Sequence, residues 1–145
     1  MKNFNLKTSI LAVLMLVASV GFVKADDKTQ SAQSLNESVQ QYVNLVKYGQ
    51  LENFNKMFTE DAKFSISRNG KVVSHTKAEE FAFLRKNKGV TQQCEVLSAV
   101  MVNTEAYTVV KVSMIYDGFT RENFVTLVKS GKDWKINAVS SEFKS

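Results

Sequence analysis

The sequence predicts an α+β fold built on a mostly antiparallel sheet, and three observations carry that prediction. From Thr91 to Phe143, four alternating apolar runs follow one another with turn signals between them and no helical gap. Within that stretch Asp117–Gly118 separates Val109–Tyr116 from Phe119–Lys129, and Ser130–Asp133 separates the latter from Trp134–Val139. Asp-Gly between alternating runs is a hairpin signal, because both central residues of a type I′ turn have positive φ. The third observation is upstream: three segments with helical spacing precede this meander, interrupted by one small hairpin.

The first helix is capped by Ser34 or Asn36 and runs to about Lys47, with Val39, Tyr42, Val43 and Val46 on one side and Gly49 at the C′ position. A short second helix, about Leu51 to Phe58, presents Leu51, Phe54, Met57 and Phe58. Ala62–Arg68 then alternates, and Asn69–Gly70 turns the chain into Lys71–Ser74. Thr76 with Glu79 forms a capping box for a third helix carrying Phe81, Phe83 and Leu84. Arg85, Lys86 and Lys88 suit its C-terminal end, and Gly89 stops it.

Residues 1–25 read as a cleaved signal peptide. Lys2 and Lys7 form a positive start, an apolar run of about 14 residues follows, and Val23–Lys24–Ala25 fits a cleavage site before Asp26. The run falls short of the roughly 20 residues a bilayer span needs, and no Cys stands after it to carry a lipid, so no stable membrane anchor is expected. The protein is therefore expected in the periplasm or outside the cell. Residues 26–34 are polar and read as a flexible leader, and 35–145 form one domain. The whole chain has 19 Lys and Arg against 14 acids, but Lys2, Lys7 and Lys24 leave with the signal, bringing the net charge from +5 to +2. With three arginines and no basic run, nucleic-acid binding has no electrostatic footprint. Cys94 is single, so no internal disulfide is available. His75 is the only histidine, and nothing reads as a metal site or calls for a cofactor.

Two stretches then point to a family. The first is Tyr42…Leu45…Tyr48–Gly49…Leu51…Phe54…Met57–Phe58–Thr59–Glu60–Asp61–Ala62–Lys63–Phe64. The second combines Val110–Val112, Phe124–Lys129 and Gly131–Lys132–Asp133–Trp134–Lys135–Ile136. Together they resemble the nuclear transport factor 2-like superfamily, and with a signal peptide the chain is most similar to its secreted branch labelled putative lumazine-binding. The resemblance implies a conical fold, a curved sheet wrapped around three helices with an internal cavity, and dimers formed through the convex sheet face. The superfamily also holds ketosteroid isomerases, polyketide cyclases and dehydratases. Their catalytic acids have no residue-by-residue counterpart in this sequence, so none is assigned.

The turns set a trial register. A two-residue turn pairs Tyr116 with Phe119, Met114 with Arg121, Val112 with Asn123 and Val110 with Val125. A four-residue loop pairs Leu127 with Ile136, Val125 with Ala138, Asn123 with Ser140 and Arg121 with Glu142. All of these share one face, apolar at one end and polar at the other; a bulge would shift them. Arg121, Asn123, Tyr116, Met114, Ser140 and Glu142 are thus the candidate pocket residues, joined by Glu95 if Val102 and Tyr107 flank the preceding turn. An apolar cavity with a few convergent polar groups suits a small molecule. Arg121 reads either as a ligand anchor or as the partner of Glu142 in a sheet-end ion pair.

Three function classes follow. The first is an exported module binding a small, partly apolar molecule. The second is an enzyme using Glu95 or His75 for acid–base chemistry. The third is an interaction or structural domain whose cone is filled by Phe54, Phe58, Phe64, Phe81, Phe83 and Trp134. On the other face Val96, Val100, Val102, Tyr107, Val109, Ile115, Phe124 and Val128 make an apolar surface that suits a homodimer.

Overall fold

A computed structural model describes residues 33–145. The expected signal peptide and the leader up to residue 32 lie outside the described residues. Ser34 caps helix α1 (Leu35–Tyr48) through a reciprocal capping box with Glu37. Helix α2 (Phe54–Met57) is a single turn, shorter than expected at both ends: residues 52–53 form a turn ahead of it, and the backbone becomes extended at Phe58. Strand β1 (Phe58–Arg68) starts there and pairs with β2 (Lys71–Thr76) across Asn69–Gly70, where both φ values are positive. Thr76 and Glu79 cap helix α3 (Lys77–Arg85) as the sequence indicates. Strands β3 (Glu95–Asn103), β4 (Tyr107–Tyr116), β5 (Phe119–Ser130) and β6 (Asp133–Lys144) complete the meander.

The six strands form one curved sheet in the order β2-β1-β6-β5-β4-β3, antiparallel except where β1 runs parallel to β6. The β4–β5 pairing follows the expected register from Tyr116–Phe119 to Val110–Val125. The turn itself differs: only Gly118 has positive φ (89°), so Asp117–Gly118 is not type I′. Two loop residues set the pairing in either geometry, which is why the register survives.

Two other pairings differ from expectation. Leu127 faces Ile136, but a bulge then leaves Asn137 unpaired, and Thr126 faces Ala138. Val125 therefore meets Val139, Asn123 meets Ser141 and Arg121 meets Phe143. Because side chains alternate, this one-residue slip moves Ser140 and Glu142 to the convex face. In the β3–β4 hairpin the expected Val102–Tyr107 pair does not form: Asn103 faces Thr108, Val102 faces Val109, and Thr104 Oγ accepts from the Tyr107 amide. A register shift between Val100 and Val102 follows, so Glu95 faces Ile115 on the convex side. The same pairing puts Val96 opposite Met114 and Val100 opposite Val110, on the concave face rather than the convex one.

The core lies between the helices and the concave face. Phe54, Phe58, Leu45, Met57, Val110, Val125, Leu127 and Ile136 are all buried there. Phe81, Phe54, Phe58 and Phe64 pack in sequence, with ring centroids 5.1, 4.7 and 5.2 Å apart. Each tilted pair contributes about 0.5–1.5 kcal/mol beyond its area burial. Of the six residues proposed to fill the cone, these four do so; Phe83 is exposed and Trp134 is half-buried beneath Lys129. Among the described residues no helix is long and apolar enough to cross a membrane.

Candidate functional site

The end of α1 and the segment after α3 build one wall of a cleft. Gly49 ends α1 in the left-handed conformation (φ 65°). A β-carbon there would lie 2.7 Å from the Gly89 nitrogen and 2.9 Å from the Asn87 carbonyl oxygen, so the position has no room for a side chain. The Gly89 amide donates to the Gly49 carbonyl (3.1 Å) and the Gln92 amide to the Lys47 carbonyl (2.7 Å). These bonds hold Gln92 where its side-chain oxygen accepts from the Tyr116 hydroxyl at 3.1 Å. Between this wall and the open end of β4–β5 lies a cleft of about 260 Å³. Leu45, Val46, Phe83, Leu84 and Met114 supply its apolar lining; Glu80, Gln92, Tyr116 and Arg121 supply its polar groups.

Arg121 is held from below. Its Nε donates to Asn123 Oδ1 (2.9 Å) and its Nη2 to Ser141 Oγ (3.3 Å). Ser141 in turn donates to the same Asn123 oxygen at 2.7 Å, and the Asn123 amide donates to the Val112 carbonyl at 3.4 Å. Asn123 is fully buried and Ser141 nearly so. Two of the five guanidinium N–H groups are therefore used, leaving three for other acceptors. Among the described residues no carboxylate lies within ion-pair distance of Arg121.

Across the cleft, Glu80 on α3 is paired with His75, whose ring stacks on Phe64 (5.6 Å, 20°). Tyr42 is buried, and burial pushes its hydroxyl far above the ordinary phenol value. Arg121 opposes that shift and Glu80 adds to it, which places the Tyr42 hydroxyl in the field of both charges. The Tyr116 hydroxyl is also raised, first by burial and then by the adjacent Cys94 thiol, with Arg121 again opposing. Both phenols thus stay protonated as hydrogen-bond donors at neutral pH.

The candidate residues from the sequence divide cleanly. Arg121, Tyr116 and Met114 line the cleft, with Asn123 directly beneath Arg121. Glu95, Ser140 and Glu142 do not belong to it, for the register reasons given above. The expected Arg121–Glu142 pair is absent. Glu142 instead lies 3.5 Å from Lys144, which also sits 2.6 Å from Glu122 on the convex face. That lysine holds the Glu122 carboxyl below its ordinary range. Ser141 takes the place assigned to Ser140. Glu80, Gln92 and Tyr42 carry no sequence signal of their own, since each sits in a helix or loop where it reads as an ordinary polar or core residue.

Solved structures similar to this one share its fold. A nuclear transport factor 2-like protein of unknown function from Silicibacter pomeroyi DSS-3 superposes with a TM-score of 0.61 at 14% identity, over 76% of this chain and 92% of that one. A second such protein of unknown function, from Shewanella baltica OS155, gives 0.59 at 14% identity over 75% and 90%. A DUF4783 family protein from Bacteroides uniformis ATCC 8492 gives 0.52 at 12% identity over 77% and 99%. No curated protein matches the sequence at a significant level. The fold is thus nuclear transport factor 2-like, and with residues 30–141 matching its family model, the chain belongs to the family described as "Putative lumazine-binding".

Proposed function

We propose that this protein is an exported binding module whose concave cleft takes a small, planar, partly apolar molecule bearing a hydrogen-bond acceptor or negative charge. The observation that carries this reading is Arg121. Its guanidinium is fixed by a buried Asn123–Ser141 pair, faces a cleft of mixed apolar and polar lining and keeps three donors unused. Guanidinium groups held in this way favour carboxylates and the faces of flat rings. The cleft volume, about 260 Å³, lies just below the usual range for drug-sized ligands and suits a one- or two-ring molecule. The family description makes lumazine the first compound to try. Export rests on the N-terminal segment alone.

Native mass spectrometry of protein purified from its own periplasm tests the reading directly, with a retained ligand expected. Titration with lumazine should then show binding weakened about tenfold or more in Arg121→Met, the scale of one lost charged hydrogen bond. Equal affinity of the variant for its ligand sinks the assignment of Arg121.

A second reading, acid–base catalysis, is favoured by one observation: the His75–Glu80 pair beside the cleft. Turnover abolished by Glu80→Gln with ligand affinity kept would move the function to that class. Glu95, on the convex face, plays no part in it.

We also propose a homodimer, on a corrected residue set. Leu97, Val102 and Tyr107 are exposed on the convex face, beside the half-buried Val109 and Val128. Val102→Lys should give a soluble monomer, whereas a wild-type monomer at high micromolar concentration in light scattering removes the proposal.

A further inference from the structure

A second recess, of about 490 Å³, opens at the same end of the sheet on the β1–β2 side. Ser67 to Gly70, Phe119, Glu142 to Lys144 and Ser145 surround it. It is distinct from the cleft described above, with which it shares no lining residue. Two stacking pairs separate them. Tyr116 on the cleft side lies flat against Phe119 (4.6 Å, 8°), and Arg121 on the cleft side lies over Phe143 (5.9 Å).

The recess has the features that an aromatic anion requires. Phe119 and Phe143 lie 6.2 Å apart and remain 41% and 44% exposed. A second guanidinium, Arg68 at the end of β1, lies over the Phe143 ring at 6.0 Å. Among the described residues Arg68 has no carboxylate within ion-pair distance. The one acidic side chain of the lining, Glu142, is already engaged by Lys144. Lys71, the β-partner of Arg68, adds a further positive charge beside the turn. Partly exposed rings beside a guanidinium without an ion-pair partner suit a planar ring carrying a carboxylate or sulfonate.

We propose that this recess is a binding site for aromatic carboxylates, in which Phe119 and Phe143 contact the ring and Arg68 holds the anionic group. The site is independent of the cleft reading and stands whether or not Arg121 anchors a ligand there.

The test uses 2-naphthoate and its uncharged counterpart 2-naphthamide, titrated by calorimetry into the wild-type protein, Arg68→Gln, Phe119→Ala and Arg121→Met. 2-Naphthoate should bind the wild type about fivefold tighter than the amide, and Arg68→Gln should remove that difference, in keeping with one partly exposed charge contact. Phe119→Ala should weaken both probes, and higher salt should weaken only the acid. Equal affinity for acid and amide, or unchanged 2-naphthoate binding in Arg68→Gln, overturns the proposal. So does binding that is lost in Arg121→Met and kept in Arg68→Gln, which places the probe in the other cleft.

Discussion

At the closed end of the concave face, Phe54, Phe58, Phe64 and Phe81 meet ring to ring above Leu127 and Ile136. At the open end of the same strands, Arg121, Asn123 and Ser141 form a hydrogen-bonded cluster under a cleft. Both ends are tightly organised, but by different forces. Ring packing has no directional demand and fills volume, so its loss is felt as stability. The polar cluster fixes the direction of one charged group, so its loss should be felt as binding. A single strand, β5, carries both: Val125 and Leu127 for the first, Arg121 and Asn123 for the second.

The comparison is broken most severely at the closed end. Phe58→Ala should cost about 3–5 kcal/mol, through lost burial and the cavity left between the Phe54 and Phe64 rings. Urea denaturation measures it; a loss below about 1 kcal/mol would mean that the aromatic row is not what holds the cone together. At the open end, Asn123→Ala leaves the Arg121 Nε and the Ser141 hydroxyl without their shared acceptor. About 1–3 kcal/mol of stability should go, together with ligand affinity. Arg121→Met should separate the two, because Asn123 and Ser141 still bond each other: its folding should change by less than about 1 kcal/mol.

The smallest effect at neutral pH belongs to Tyr42, which joins the two ends. Its hydroxyl value is raised in the folded protein above the ordinary 10.0, so its contribution is intact below pH 10. Above that, ionisation of the unfolded chain draws stability away as pH climbs toward the raised folded value. Tyr42→Phe should therefore match wild type at pH 7 and resist alkaline unfolding better. Coincident alkaline transitions for the two proteins would show that Tyr42 is not the group responsible.

Much of this architecture is legible in the residues. Ser34–Glu37 and Thr76–Glu79 mark both longer helices, and two-residue turns fix the hairpins at Asn69–Gly70 and Asp117–Gly118. The pairing that sets Arg121 opposite Met114 and Asn123 opposite Val112 follows from that second turn. What the sequence hides is irregularity. Asn137 is bulged, yet nothing in Ile136–Asn137–Ala138 distinguishes it from an ordinary alternating strand, and that one residue decides whether Ser140 or Ser141 reaches the site. Glu95 is hidden by the same kind of irregularity, a register shift between Val100 and Val102 that turns it to the convex face. Glu80 is hidden differently: only the packing of α3 over the sheet, and the parallel β1–β6 pairing that fixes β1, brings it opposite Arg121.

The junction at Gly49 carries a consequence for how anything enters the cleft. Its wall is fastened to α1 by two amides, Gly89 to the Gly49 carbonyl and Gln92 to the Lys47 carbonyl. Widening the cleft at this wall would part those two bonds while leaving the strand pairing intact. The Gly89 and Gln92 amide protons then report on that opening. Their hydrogen-exchange protection in the free protein measures the free energy of opening at this wall, and added protection at both on binding would show that the bound molecule holds it closed.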